Sequence, residues 1–254
     1  MIYILGPCAL ESWETYLQTA TELNHVMQDK EWYLKASFDK ANRTSIYGER
    51  GQGLKRALNA FGQIKKIFPD IKLITDVHEV WQVEKLVPYI DAIQIPAFLC
   101  RQTDLIVECA RHFDKINIKR MQHLGPNNLI KSVDKIKETN PDCEAWLCDR
   151  GSNYGYDHLI VDFTIIDELK RVYDKVVLDC THSVQRSRMA YGMQGDRGLA
   201  EKYFLTGAVF GYDGLFAEVH PDPPSAISDG DCQIYLNRFR GLMEKHGQIK
   251  RILG

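Results

Sequence analysis

The sequence predicts a single (β/α)₈ barrel across residues 1–254, and three features carry that prediction. Eight short apolar runs recur along the chain, each leading into a few polar residues and most then into a stretch with helical spacing. The runs are continuously apolar rather than alternating, as parallel strands buried on both faces require. Eight such units in about 250 residues fit the usual size of this barrel, whereas the G-x-G-x-x-G turn of an open doubly wound sheet is missing.

Ile2–Leu5 opens the series and gives way to Gly6-Pro7-Cys8, with Trp13–Gln28 as the first helical stretch. Trp32–Leu34 runs into Lys35-Ala36-Ser37-Phe38 and is followed by the helical Gly53–Phe68. Ile71–Ile74 leads to Thr75-Asp76-Val77-His78-Glu79, and Ala92–Ile95 to Pro96-Ala97 and the helical Asp104–His112. Ile116–Ile118 ends at Lys119 and precedes Asn128–Glu138. Ala145–Leu147 ends at Asp149-Arg150-Gly151, and Val176–Leu178 at Asp179-Cys180-Thr181-His182, before the helical Leu199–Thr206. Gly214-Leu215-Phe216 closes the series and runs into Glu218-Val219-His220. No linker, low-complexity segment or internal repeat interrupts it.

Of 254 residues, 44% are hydrophobic and 26% charged, a balance that excludes disordered, collagen-like and disulfide-scaffold classes. The formal net charge of −2 argues against a nucleic-acid binder held by a strongly basic face. Seven cysteines with no C-x-x-C fit a reducing compartment, where each is a small buried hydrophobe or a ligand. Met1–Pro7 has no basic n-region, and no apolar run approaches the ~20 residues of a membrane span. A cytoplasmic protein without membrane or nucleic-acid partners is the expectation.

In a barrel the C-terminal strand ends line one mouth, where active sites sit. That rule gathers Cys8, Lys35, Lys40, Asp76, Lys119, Arg150, His182 and Glu218 although they span most of the chain. Two constellations follow. Lys35, Lys40, Arg43, Arg101, Lys119 and Arg150 form a cationic set suited to phosphate and carboxylate groups, their mutual repulsion calling for a bound polyanion. Cys8, His182, Glu218 and Asp229 come from the first, seventh and eighth strand ends and the loop beyond, which are neighbours when a barrel closes. A thiolate, an imidazole and two carboxylates suit a divalent transition ion such as Zn²⁺, Fe²⁺, Mn²⁺ or Co²⁺.

Longer stretches resemble a known family. Gly6-Pro7-Cys8-Ala9-Leu10-Glu11-Ser12, the run Lys35-Ala36-Ser37-Phe38-Asp39-Lys40-Ala41-Asn42-Arg43-Thr44-Ser45 and Ile95-Pro96-Ala97-Phe98-Leu99-Cys100-Arg101-Gln102-Thr103-Asp104-Leu105 are similar to 3-deoxy-D-manno-octulosonate-8-phosphate synthases. Thr75-Asp76-Val77-His78-Glu79, Asp149-Arg150-Gly151, Thr181-His182-Ser183-Val184-Gln185, Asp213-Gly214-Leu215-Phe216 and Ser228-Asp229-Gly230 continue the likeness in order. The resemblance implies a barrel enzyme, assembled as a homotetramer, that condenses phosphoenolpyruvate with arabinose 5-phosphate. It implies that Lys40, Lys119 and Arg150 grip phosphoenolpyruvate, with Lys35 and Ser37 beside them. Asn42, Arg43 and Thr44 would lie along the sugar phosphate, and Arg101 would reach a sugar phosphate in a neighbouring subunit's site. Asp76, His78 and Gln94 would line the cavity between the substrates, with Ala97 also at the substrates. Cys8, His182, Glu218 and Asp229 match all four ligands of the metal-dependent branch, the metal-independent branch having Asn at the Cys position.

Two stretches depart from the pattern. Arg120-Met121-Gln122-His123 stands where the family has Lys-x-Gln-Phe, and Met193-Gln194-Gly195-Asp196-Arg197 where it has Ser-Gly-Gly-x-Arg. Both bear on the sugar acceptor rather than the reaction, so the runner-up is the same condensation on a different aldose or aldose phosphate. A non-catalytic binder of phosphorylated metabolites and a metal-dependent hydrolase rank behind it. The other cysteines and Trp13, Trp32, Trp81 and Trp146 read as packing or interface residues. His25, His112, His158 and His246 read as surface residues, and Lys65-Lys66 and 238–245 as solvated helix faces.

Overall fold

A computed structural model describes residues 1–43, 45–153, 158–186 and 195–254. The apolar runs form strands β1 (Ile2–Gly6), β2 (Trp32–Lys35), β3 (Lys72–Asp76), β4 (Ala92–Ile95), β5 (Lys115–Lys119), β6 (Glu144–Asp149), β7 (Lys175–Asp179) and β8 (Gly214–His220). Each pairs in parallel with the next, and β1 also pairs with β8, so the sheet closes into an eight-stranded barrel. Helices α1 (Trp13–Val26), α2 (Gly53–Ile67), α3 (Val80–Leu86), α4 (Thr103–His112), α5 (Ile130–Thr139), α6 (Ile166–Leu169), α7 (Arg197–Val209) and α8 (Leu236–Leu253) alternate with the strands.

Continuous burial of the strands reflects two separate apolar layers. One set of side chains, including Ile4, Tyr33, Ile74, Trp146, Val177 and Phe216, fills the barrel interior. The other, including Leu5, Leu34, Leu73, Ile93, Leu147 and Leu178, packs outward against the helices. Local chemistry sets the helix starts: the Ser12 hydroxyl accepts from the Thr15 amide at α1, and Asp196 accepts from the Leu199 amide at α7. At α3 the Gln82 side chain accepts from the backbone amides of His78 and Glu79, at 2.9 and 3.1 Å.

The strand boundaries differ from expectation mainly at the end of the chain. β8 continues through His220, so Glu218 lies on the strand rather than after it. A 3₁₀ turn, Pro126–Leu129, occupies the start of the expected helix at Asn128, and α5 begins at Ile130. A short parallel strand β9 (Ile234–Tyr235) adds to β8 before α8. His246 is not a surface residue: it shares the buried face of α8 with Leu236, Phe239, Leu242 and Met243. Among the described residues, no helix is long and apolar enough to cross a membrane.

Candidate active site

Closure of the barrel builds the acidic half of the site. Gly6 ends β1 at φ 151°, with Lys35 O only 2.0 Å from where a Cβ would stand, so only glycine lets the chain turn there into Pro7-Cys8. The β1–β8 register sets Gly6 opposite Glu218, and the loop after β8 brings back Asp229, which holds a left-handed φ of 54°. One ligand atom from each of Cys8, Glu218 and Asp229 lies within 4.8 Å of the others. The Cys8 thiol donates to Asp229 Oδ2 at 3.1 Å.

Glu218 is 0% exposed, and among the described residues neither of its carboxylate oxygens has a hydrogen-bond donor. The basic atoms beside it are His182 Nε2 at 3.5 Å and Lys35 Nζ at 3.9 Å. A buried carboxylate without donors is costly unless a cation faces it, and a thiol with two carboxylates is a donor set for a divalent transition ion. These residues therefore fit such an ion. Burial raises the Cys8 thiol well above its usual range and Glu218 adds to the rise; a coordinating cation reverses that balance. At Asp229 burial also acts to raise the carboxyl, but Lys40, His182 and the Ser228 hydroxyl outweigh it and hold it well below the carboxylate range. His182 is not part of the three-atom cluster. It borders the cluster through Glu218, while its Nδ1 lies 2.9 Å from Asp179 Oδ2.

The cationic half is interleaved with acids. Lys35 Nζ donates to Ser37 Oγ at 2.6 Å and Cys8 O at 3.2 Å, and stands 3.8 Å from Asp76 Oδ1. Lys40 Nζ is 3.8 Å from Asp229 Oδ2; burial acts to lower its pKa, but Cys8 and Asp229 raise it well above the usual value. Lys119 Nζ donates to Asp179 Oδ2 at 2.7 Å, sits 2.9 Å from His182 Nδ1 and lies 3.6 Å from the Phe216 ring centroid. Arg150 Nη2 donates to Gln185 Oε1, while its Nε is buried with no acceptor among the described residues. Burial also acts to raise Asp76 and Asp179, yet neighbouring cations (Lys35 and His78 at Asp76, His182 and Lys119 at Asp179) hold both well below the carboxylate range. His78 Nε2 is 3.2 Å from Asp76 Oδ2, and the Gln94 carbonyl accepts from Asn117 at 3.0 Å. Lys35, Lys40 and Lys119 thus each stand within 4 Å of Asp76, Glu218, Asp229 or Asp179, and Arg150 is linked to Asp229 through Gln185. The mutual repulsion that the sequence implied is offset by fixed carboxylates.

Other expected residues lie further out. Arg43 donates to Ser228 Oγ at 2.7 Å and Ile227 O at 3.2 Å, tying the loop after β2 to the loop that bears Asp229. Ala97 is buried in a 3₁₀ turn after β4, whereas Asn42 and Arg101 are exposed. Thr44 lies outside the described residues, as do Met193 and Gln194. Arg120 is buried, its guanidinium donating to Asp149 Oδ1, Leu124 O and Ser152 Oγ, and His123 is exposed.

Several contributors carry no role in the sequence reading. Asp179 joins Lys119 to His182, and its place at the end of β7 satisfies the same strand-end rule that selects Lys119 and Arg150. Gln185 spans Arg150 and Asp229. Gln233 accepts from the Cys8 amide at 3.4 Å and donates to Ser228 O at 2.8 Å. Glu11 takes His220 Nε2 on one oxygen and the Ile227 amide on the other, a tie that no local sequence period reveals.

Known proteins show the same arrangement of sequence. The profile of the DAHP synthetase I family matches residues 1–253. The 2-dehydro-3-deoxyphosphooctonate aldolase of Wolinella succinogenes is 43% identical over 247 residues, covering 92% of this chain and 93% of that protein. The protein of the same name from Fusobacterium nucleatum is 38% identical over 255 residues, covering 99% and 91%. That of Helicobacter pylori strain Shi470 is 42% identical over 244 residues, covering 90% and 88%. A match over nearly the whole chain, on a closed barrel with its charged residues at the strand ends, makes this chain a member of the DAHP synthetase I family.

Proposed function

We propose that this chain is a single catalytic domain that condenses phosphoenolpyruvate with arabinose 5-phosphate and water. The products are 3-deoxy-D-manno-octulosonate 8-phosphate and inorganic phosphate. A bond forms between C3 of the enol ester and the aldehyde carbon, water adds at C2, and the C2–O bond to phosphate breaks. The observation that carries the reading is the set of three buried cations, Lys35, Lys119 and Arg150, joined by the half-buried Lys40 in one network of contacts around the strand ends. The names of the relatives point the same way.

Arg150, whose buried Nε has no acceptor among the described residues, is with Lys119 and Lys40 the group to grip phosphoenolpyruvate. Lys40 and Lys35 add charge, and Ser37 fixes the Lys35 ammonium. In this reading Asp76, His78 and Gln94 line the cavity between the two substrates. Arg43, with its sequence neighbours Asn42 and Thr44, is suited to the sugar phosphate. Holding two reactants in line contributes on the order of 7–11 kcal/mol at the extreme. Cys8, Glu218 and Asp229, with His182 beside them, would hold a divalent transition ion (Zn²⁺, Fe²⁺, Mn²⁺ or Co²⁺). Such an ion supplies Lewis acidity and activates water when bound. The working form in this reading is a cytoplasmic homotetramer in which Arg101, exposed after β4, reaches a sugar phosphate in a neighbouring site. Seven buried cysteines with no disulfide among them are in keeping with the cytoplasm.

The test is incubation with phosphoenolpyruvate and a panel of aldoses and aldose phosphates, with and without chelator, following enolate absorbance and phosphate release. Turnover that requires arabinose 5-phosphate supports the reading. Binding of phosphoenolpyruvate with no turnover on any acceptor, ion supplied, refutes it.

A further inference from the structure

Gln185 ends the 3₁₀ turn His182–Val184 after β7, and its side chain reaches two groups of opposite charge. Its Oε1 accepts from Arg150 Nη2, and its Nε2 donates to Asp229 Oδ1. A guanidinium can only donate and an ionised carboxylate can only accept, so one amide orientation alone satisfies both. The second Asp229 oxygen takes the Ser228 hydroxyl at 2.7 Å and the Cys8 thiol at 3.1 Å. Gln185 therefore links the Arg150 guanidinium to one Asp229 oxygen through a neutral amide, while the other oxygen is linked to Arg43 through the Ser228 hydroxyl and stands 3.8 Å from Lys40 Nζ.

Without a neutral group between them, Arg150 and Asp229 are free to meet as a bidentate ion pair, the strongest pairing these side chains make. That pair would neutralise the guanidinium needed for an anion and occupy the carboxylate needed for a cation. We propose that Gln185 is a positioning residue that acts as a spacer: it satisfies Arg150 and Asp229 while keeping them apart, so that each stays available to its own ligand. The proposal rests on the roles given above to Arg150 and Asp229. It adds that one neutral amide sets the affinity of both subsites, each in the absence of the other's ligand.

The experiment compares the full-length protein with Gln185→Met, nearly isosteric but unable to hydrogen-bond in this way, and with Gln185→Asn, an amide too short to span both partners. Phosphoenolpyruvate binding is measured by titration calorimetry in chelator, and Co²⁺ binding by its thiolate absorption without phosphoenolpyruvate. Thermal melts establish that each variant is folded. The expected result is a loss of about tenfold or more in both affinities for both variants, with melting temperatures near that of the parent, a loss of ~1.4 kcal/mol at each site. A parent that binds both ligands while both variants keep either affinity unchanged overturns the spacer role. A parent that binds neither ligand overturns the underlying reading of Arg150 and Asp229.

Discussion

Acidification should weaken the fold through His246, far from the candidate site. Its ring packs against Tyr3 and Phe204, with centroids 5.8 and 5.4 Å away, and its Nε2 is buried without a partner among the described residues. Burial, together with the charges of Lys250 and Lys30, lowers its pKa from 6.5 to about 4. The unfolded chain takes up a proton between those values and the folded chain does not, so stability is full above pH 6.5 and falls as pH drops toward 4. At pH 5 the unfolded population of this group is about 30-fold favoured by protonation relative to the folded one, which is about 2 kcal/mol. His246→Phe keeps an aromatic ring among aromatic neighbours and removes the titration. Urea unfolding of parent and variant at pH 5 and pH 8 isolates the effect, because all other titrating groups are common to both. The variant should gain about 2 kcal/mol on the parent between pH 8 and pH 5, or roughly 4–8 °C in Tm. Equal pH dependence in the two proteins would mean that the ring is reached by water or by an acceptor, and the argument would fail.

Three further outcomes are expected. Arg150→Ala removes charged hydrogen bonds of about 1.5–3 kcal/mol each, so KM for phosphoenolpyruvate should rise roughly 10- to 150-fold with the circular dichroism spectrum unchanged; unaltered steady-state kinetics would dismiss the assignment. Cys8→Ala should lose both the cobalt–thiolate absorption and any ion-stimulated turnover, and a parent that keeps full turnover in chelator would rule out the ion. Arg120→Met strands the buried Asp149 carboxylate and should cost about 3–5 kcal/mol in urea unfolding, whereas a variant as stable as the parent would show that the pair contributes nothing.

The sequence made the barrel legible because each strand buries both faces and so reads as an unbroken apolar run; Ala92–Ile95 has the same bounds in both readings. β8 ran past its expected end because Glu218 and His220 interrupt the apolar pattern while remaining strand. They are buried by site contacts, which hydrophobicity does not encode. His246 was misjudged by residue type, although its spacing from Leu236, Phe239 and Met243 places it on the apolar face of α8. Lys35, Asp76, Lys119 and Arg150 could be grouped because a strand end is a local feature. Gln185 between Arg150 and Asp229, or Glu11 on His220, could not, because those contacts depend on how separate loops cross the mouth.

The parallel pairing of β1 with β8 has a consequence for the order in which the molecule can be built. Cys8 and Asp229 touch across 221 residues of sequence. A chain made from its N-terminal side therefore carries this thiol long before the carboxylate it meets has been made. A chain cut between His220 and Asp229 would keep all eight barrel strands and yet lose one carboxylate of the acidic pocket. Assembly of that pocket thus reports that the loop beyond the last barrel strand has been added to the closed sheet.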